Sequence, residues 1–152
     1  MVFGSVLRRR LMCFAVLMMV GQGALAQVWH SPNRGTAERA ALMDAMRPHA
    51  EWVLGAPVQF VVDDLRVAGD LGYGALTPQR PGGGQIDIRR TPGFARGQLD
   101  PVMDGIYLHV LYRKSGKTWV AVQWSMGATD VWFSAPEFCA IWHPVIPEYC
   151  AG

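Results

Sequence analysis

The spacing of apolar residues predicts one long helix in the first half of the chain. Between residues 36 and 55, apolar residues recur every three or four positions with charged residues between them, which is typical of a helix with one buried face. Thr36 can cap the start of this helix and Gly55 its end. Pro48 lies inside the pattern, so we expect it to kink the helix or divide it in two. The predicted buried face comprises Leu42, Met43, Met46, Ala50, Val53 and Leu54.

After the helix, apolar residues alternate with polar ones, as they do in β-strands. Alternate positions from Val58 to Val62 are apolar, and the alternation resumes one position out of phase at Leu65. One extra residue at Asp63-Asp64 would return the later side chains to the buried face, so we expect a β-bulge there.

A tight turn at Gly69-Asp70 leads into a second predicted strand. Its alternate positions include Gly72 and Gly74, which carry no side chain beyond a hydrogen atom. We therefore expect another part of the protein to approach this strand closely.

Two segments are predicted to be mostly irregular because they are rich in proline and glycine or in scattered aromatic residues. The first spans residues 78–104, where Ile86 and Ile88 mark at most one short strand. The second is the tail, residues 132–150, whose aromatic residues should pack against the sheet.

The two clearest strands span residues 106–113 and 118–126, and the short polar segment between them predicts a hairpin. Both faces of the hairpin carry apolar residues, so we expect each face to be covered. One helix followed by four or five mostly antiparallel strands predicts an α+β fold. In the second strand of the hairpin, one face is predicted to hold Val120, Val122, Trp124 and Met126.

The first 26 residues have the three-part pattern of a cleavable signal peptide. Arg8, Arg9 and Arg10 precede an apolar run, and small residues stand at Ala24 and Ala26, so cleavage is expected before Gln27. The alternative is a membrane anchor, but the uncharged run is shorter than the roughly 20 residues that span a bilayer. We expect a signal peptide at 1–26, a lead-in at 27–35 and a single α+β domain at 36–152.

Processing would change the charge balance of the protein. The full chain has 14 basic and 12 acidic residues, and three of the basic residues belong to the predicted signal peptide. The remaining 11 basic residues nearly balance the 12 acidic ones, so the charge gives no reason to expect nucleic acid or an anionic membrane as a partner. We also expect no stable membrane anchor after cleavage.

Cysteine usage agrees with an oxidising compartment. Cys13 would leave with the signal peptide, and Cys139 and Cys150 would remain as an even pair. A disulfide between them is the simplest interpretation. A redox pair or a metal site is the alternative, but redox pairs usually stand two residues apart and a zinc site needs two further ligands.

The candidates for catalysis are few. His109 lies in mid-strand between apolar residues and could act as a general base with Asp130 or Asp104, or it could be a structural, half-buried histidine. Asp130 follows the last strand and could abstract a proton, or it could simply accept hydrogen bonds within a turn.

Other patterns point more weakly to chemistry. Asp63-Asp64 could form an acid–base pair, but neighbouring strand residues face opposite sides unless a bulge intervenes. Residues 81–85 could cradle a phosphate, yet the loop lacks the Gly-Lys-Ser/Thr ending that defines such motifs. We expect no metal site and no cofactor. Exposed members of an aromatic group in the last third could mark a ligand cleft: Trp119, Trp124, Trp132, Phe133, Phe138 and Trp142.

Three short segments resemble a group of small exported bacterial proteins of unknown function. The resemblance implies an N-terminal helix packed on a curved antiparallel sheet, similar to the NTF2-like (cystatin-like) fold, and it carries no catalytic residue across. The glycines of residues 71–74 and the cysteines of the tail depart from the pattern of that group. The similar segments are Leu54-Gly55-Ala56-Pro57-Val58-Gln59-Phe60-Val61-Val62, Pro78-Gln79-Arg80-Pro81-Gly82, and Trp119-Val120-Ala121-Val122 with Gly127-Ala128-Thr129-Asp130-Val131.

These observations favour an exported, non-catalytic domain of the periplasm or the extracellular medium. It would bind a protein partner or a small apolar ligand in the cell envelope through an apolar cleft or the aromatic tail. One alternative is a small cofactor-free enzyme, isomerase- or hydrolase-like, with His109 and Asp130 in the cleft. Another is an envelope interaction or immunity-type protein.

Overall fold

The computed structural model describes residues 28–151. The predicted signal peptide and its cleavage point between Ala26 and Gln27 lie outside the described residues. Four strands form one antiparallel sheet in chain order, and helices lie before and after the strands, so the predicted α+β class is confirmed. The longer elements are α1 (Ala37–Leu54), β1 (Gln59–Ala68), β2 (Leu71–Gln79), α2 (Pro92–Ala95), β3 (Leu108–Ser115), β4 (Thr118–Met126) and α3 (Pro136–Trp142).

Local signals place the ends of α1 where the sequence predicts them. The hydroxyl of Thr36 accepts a hydrogen bond from the backbone N–H of Arg39, and Gly55 ends the helix with a φ of 78°. The predicted division at Pro48 is wrong, since one helix runs through it. Buried residues on both sides of the proline, Met46 and Ala50, pack into the same core and hold the two halves together.

A bulge in each outer strand sets which side chains face the core. The register of β1 against β2 shifts between Val62 and Asp64, which confirms the predicted bulge. A second shift lies in β4, where Leu111 pairs with Gln123 but Tyr112 pairs with Ala121.

The bulge in β4 overturns the predicted faces of that strand. Trp119 and Ala121 are buried in the core, whereas Val120 and Val122 remain 40% and 41% exposed. Because the bulge inserts one extra residue, the side chains on either side of it change phase. Trp124 and Met126, which follow the bulge, then pack against the same core as Trp119.

The sheet separates two hydrophobic clusters, so both faces of β3 are covered as predicted, while one face of β4 stays exposed at Val120 and Val122. The cluster on one face unites α1 with Leu108, Val110 and Tyr112 of β3. The cluster on the other face unites Leu111 and Tyr73 with the C-terminal tail.

The two glycines of β2 make room for a tyrosine. A side-chain carbon added at Gly72 would lie 3.2 Å from Cβ of Tyr112, and one added at Gly74 would lie 3.1 Å from its ring. The predicted close approach to this strand is therefore confirmed, and the element that approaches is the side chain of Tyr112 from β3.

The tail is more regular than predicted. Two short 3-10 turns, at Trp132–Ser134 and Pro147–Tyr149, flank α3. Cys139 and Cys150 form a disulfide, with their Cα atoms 5.4 Å apart. The indole N–H of Trp142 donates to the carbonyl of Tyr112 at 2.9 Å, beside the β4 bulge, and so fastens the tail to the sheet.

Beyond the end of β2 at Gln79, the proline- and glycine-rich segment holds no strand, although Ile86 and Ile88 suggested one. A 3-10 turn forms at Ile88–Arg90 because the carboxylate of Asp87 accepts a hydrogen bond from the backbone N–H of Arg89. Within residues 28–151, no helix is long and apolar enough to cross a membrane.

Candidate functional site

A cleft of about 580 Å³ lies where β2 and β3 separate. The last pair between these strands joins Leu76 to Leu108, but β2 continues to Gln79. The segment that precedes β3, residues 105–107, lines the opposite side of the opening. The cleft volume falls in the range of about 300–1,000 Å³ that is usual for small-molecule sites.

The lining of the cleft is mainly apolar. Three isoleucines, a proline and one tyrosine ring supply the apolar surface, while two glutamine side chains and a threonine supply neutral polar groups. No aspartate, glutamate, histidine, lysine or arginine is among the described residues that line it. The lining residues are Thr77, Pro78, Gln79, Gly83, Gly84, Gln85, Ile86, Ile88, Gly105, Ile106 and Tyr107.

Backbone hydrogen bonds hold both walls of the cleft in place. On one side, the N–H of Arg80 donates to the carbonyl of Gly84 at 2.7 Å, which closes a turn in the glycine-rich loop. Gly83 lies in this turn with a φ of 87°, a conformation that favours glycine. On the other side, the N–H of Gly127 donates to the carbonyl of Tyr107 at 2.8 Å.

Tyr107 lines the cleft and also contacts His109. Its hydroxyl donates to the carbonyl of Ala128 at 2.8 Å, so the ring is fixed at both ends. The edge of the ring meets His109, with the ring centres 5.9 Å apart. His109 thus contacts a residue of the cleft but is not among the residues that line it.

His109 belongs to an aromatic cluster on the tail side of the sheet. The hydroxyl of Tyr73 lies 2.9 Å from Nδ1 of His109, within hydrogen-bond distance. The ring of Phe133 lies 4.9 Å from the histidine ring, and Tyr149 covers Phe133 at 5.0 Å. Burial lowers the pKa of His109, because a charged imidazolium loses its hydration there. Burial likewise raises the pKa of Tyr73, so both groups are neutral at pH 7.

Arg66 joins the lead-in, β1 and the tail beside this cluster. Its guanidinium donates to Asp64 at 2.7 Å and to Glu148 at 2.5 Å, and it lies over the ring of Trp29 at 4.5 Å. Burial by itself would lower the pKa of Arg66, but the hydrogen bonds to the two carboxylates outweigh this effect and raise it. Arg66 thus stabilises the packing of the tail.

The predicted partnership of His109 with Asp130 is not formed. Asp130 is exposed, and none of the described residues forms a hydrogen bond or ion pair with it. The side chain within hydrogen-bond distance of His109 is that of Tyr73, which the sequence did not single out as a site residue.

The other weak candidates have structural partners. Asp63 accepts a hydrogen bond from the hydroxyl of Thr77 at 2.7 Å, and Asp64 pairs with Arg66, so the two acids do not act as a pair.

The glycine-rich loop, considered above as a phosphate cradle, belongs to the candidate site as one wall of the cleft. Within residues 28–151, no group of three or more His, Cys, Asp or Glu side chains could hold a metal ion.

The aromatic group of the last third does not line the cleft. Trp119, Phe133 and Trp142 are buried, and the other three members are half-buried. These rings form the cores on both sides of the sheet.

Comparison with known proteins gives no relative. No protein-family model, no curated protein and no solved structure matches the chain. The function must therefore be inferred from the geometry of the site.

Proposed function

We propose that this protein is an exported, non-catalytic domain that binds a small apolar ligand in the cleft between β2 and β3. The observation that carries the proposal is the lining of the cleft, in which Ile86, Ile88 and Ile106 face an opening large enough for a small molecule. Burying apolar surface drives such binding, at about 25 cal/mol per Å².

The polar groups of the cleft suit orientation better than catalysis. Gln79 and Gln85 can each donate and accept hydrogen bonds but do not titrate. An acid–base enzyme needs titratable groups that converge on one pocket. Neither His109 nor Asp130 lines the cleft, so the geometry favours binding over the enzyme alternative.

Titration with a neutral apolar fluorophore, N-phenylnaphthylamine, tests the proposal. Wild-type protein should enhance its fluorescence saturably, and Ile86→Gln should weaken binding by about tenfold because it removes apolar contact surface. Ile141→Gln is the matched control, since Ile141 is 41% exposed on α3 and does not line the cleft. Equal affinity for the two variants, with both still folded, would refute the cleft as the site.

We further propose that the protein is processed before Gln27 and acts in the periplasm or outside the cell. The disulfide between Cys139 and Cys150 is compatible with an oxidising compartment. The order of one helix followed by four antiparallel strands supports the proposed NTF2-like (cystatin-like) fold. The intact mass of protein recovered from the producing cell should correspond to a chain that begins at Gln27, and a mass that retains the first 26 residues would contradict export with cleavage.

A further inference from the structure

A smaller polar opening of about 270 Å³ adjoins the apolar cleft. It is lined by Arg80, Gln85, Asp87 and Arg90. Gln85 lines both openings, so they meet at this residue.

The segment at residues 85–88 divides its side chains between the two openings. Ile86 and Ile88 line the apolar cleft, whereas Asp87 lines the polar opening. A ligand that passes Gln85 would therefore contact apolar side chains at one end and charged side chains at the other.

Arg80 presents a guanidinium that is already held in position. It donates to the carbonyls of Leu54, at 2.8 Å, and Gly55, which end α1, and to the carbonyl of Pro57 at 3.0 Å. Among the described residues, no carboxylate pairs with Arg80, so its full positive charge is not neutralised by an acid.

The net charge of the polar opening is positive. Arg90 is exposed and forms no ion pair with any described residue. The one acid in the lining, Asp87, accepts a hydrogen bond from the backbone N–H of Arg89 at 3.0 Å. Two guanidinium groups against one carboxylate leave one positive charge beside the apolar cleft.

We infer that the ligand is an anionic amphiphile, with an apolar body in the cleft and a negatively charged head between Arg80 and Arg90. This inference rests on the proposed function, since it assigns a chemical class to the ligand of the same cleft. Guanidinium groups bind carboxylate, sulfonate and phosphate oxygens through paired N–H donors.

Two probes of nearly equal apolar size separate this inference from the proposed function. N-phenylnaphthylamine is neutral, and anilinonaphthalene sulfonate adds one negative charge to the same ring system. At low salt, wild-type protein should bind the sulfonate about two- to fivefold more tightly than the neutral probe, as an exposed ion pair allows. Raising the salt from about 0.01 M to about 1 M should remove the difference.

Arg90→Gln is the decisive variant and Arg89→Gln its matched control, because Arg89 neighbours it but does not line the opening. Arg90→Gln should abolish the preference for the sulfonate and leave binding of the neutral probe unchanged, while Arg89→Gln keeps the preference. Equal binding of the two probes by wild type, or equal effects of both variants, would overturn the inference but not the cleft. Failure of both probes to bind would overturn the proposed function and the inference together.

Discussion

At Gly93 the backbone of α2 touches α1 so closely that no side chain fits. A Cβ atom there would lie 2.7 Å from the carbonyl oxygen of Val53 and 2.8 Å from its Cγ1. The contact joins two helices that β1, β2 and the proline- and glycine-rich segment separate in the sequence. The sequence does not reveal this contact, because Gly93 is one of many glycines in the proline- and glycine-rich segment.

Gly93→Ala should therefore lower the free energy of unfolding by about 2 kcal/mol or more, since the helices must move apart. Gly97→Ala is the control: nothing lies within 4 Å of its added carbon, and its φ of 71° costs only about 1–2 kcal/mol. Urea unfolding measures the free energy of unfolding of both variants. A loss for Gly93→Ala no larger than that for Gly97→Ala would show that α2 can shift without cost.

The half-buried His109 makes stability depend on pH. Because the pKa of folded His109 is lowered, the unfolded chain binds more protons at mildly acid pH. The contribution of this residue is fully present above about pH 6.5, the ordinary pKa of histidine, and is lost as the pH falls below it.

His109→Phe keeps a ring at this position but cannot titrate. Its free energy of unfolding should fall less between pH 7 and pH 5 than that of the wild type, and it should be lower at pH 7 because Tyr73 loses its hydrogen-bond partner. Asp130→Asn, at an exposed position, should leave the difference between the two pH values unchanged. A wild-type pH dependence in His109→Phe would place the titrating group elsewhere.

Among the elements, those with local signals could be predicted from the sequence. The ends of α1 follow from Thr36 and Gly55, and the β1 bulge follows from the shift in apolar alternation at Asp63-Asp64. No such shift in apolar alternation marks the bulge of β4. Val120 and Val122 are as apolar as buried strand residues, so alternation alone placed them on the wrong face.

The cleft could not be predicted, because its walls come from segments about 20 residues apart. Ile86 and Ile88 gave a signal of apolar alternation inside a glycine- and proline-rich loop, which we interpreted as a short strand. Tyr107 and Ile106 appeared to be part of β3, but the strand begins only at Leu108. Finding the site required the point where β2 and β3 separate.

The tail is the element that depends most on a covalent link. The disulfide holds residues 147–150 against α3, and this segment carries Glu148, which pairs with Arg66, and Tyr149, which covers Phe133. Without the link, noncovalent contacts alone would restrain the end of the chain.

Replacing Cys139 and Cys150 with alanine should lower stability by about 3 kcal/mol on the chain-entropy estimate for so short a loop. Hydrogen exchange should accelerate in residues 132–151 while amides of α1 and the β3–β4 hairpin stay protected under native conditions. An unchanged melting temperature would show that the packing of the tail suffices without the bond. Equal acceleration throughout the protein would show that the tail does not open on its own.

Within the described residues, the aromatic cluster has a structural role, whereas the cleft has the features of a binding site. The tail closes one face of the sheet and encloses the Tyr73–His109 pair, where both groups are neutral. The cleft opens beside this cluster, at the end of the sheet where β2 extends beyond its last pair with β3. Its apolar lining and the guanidinium groups next to it give this part of the surface the features of a binding site.

The location of a bound probe tests directly whether a small apolar ligand binds in the cleft between β2 and β3. We would record backbone amide spectra of isotope-labelled protein during titration with N-phenylnaphthylamine. The largest shift changes should fall in residues 83–88 and 105–107, with little change in α3 or at Val120 and Val122 on β4. Changes centred on the exposed valines of β4 or on the aromatic tail, with none at residues 83–88, would contradict it.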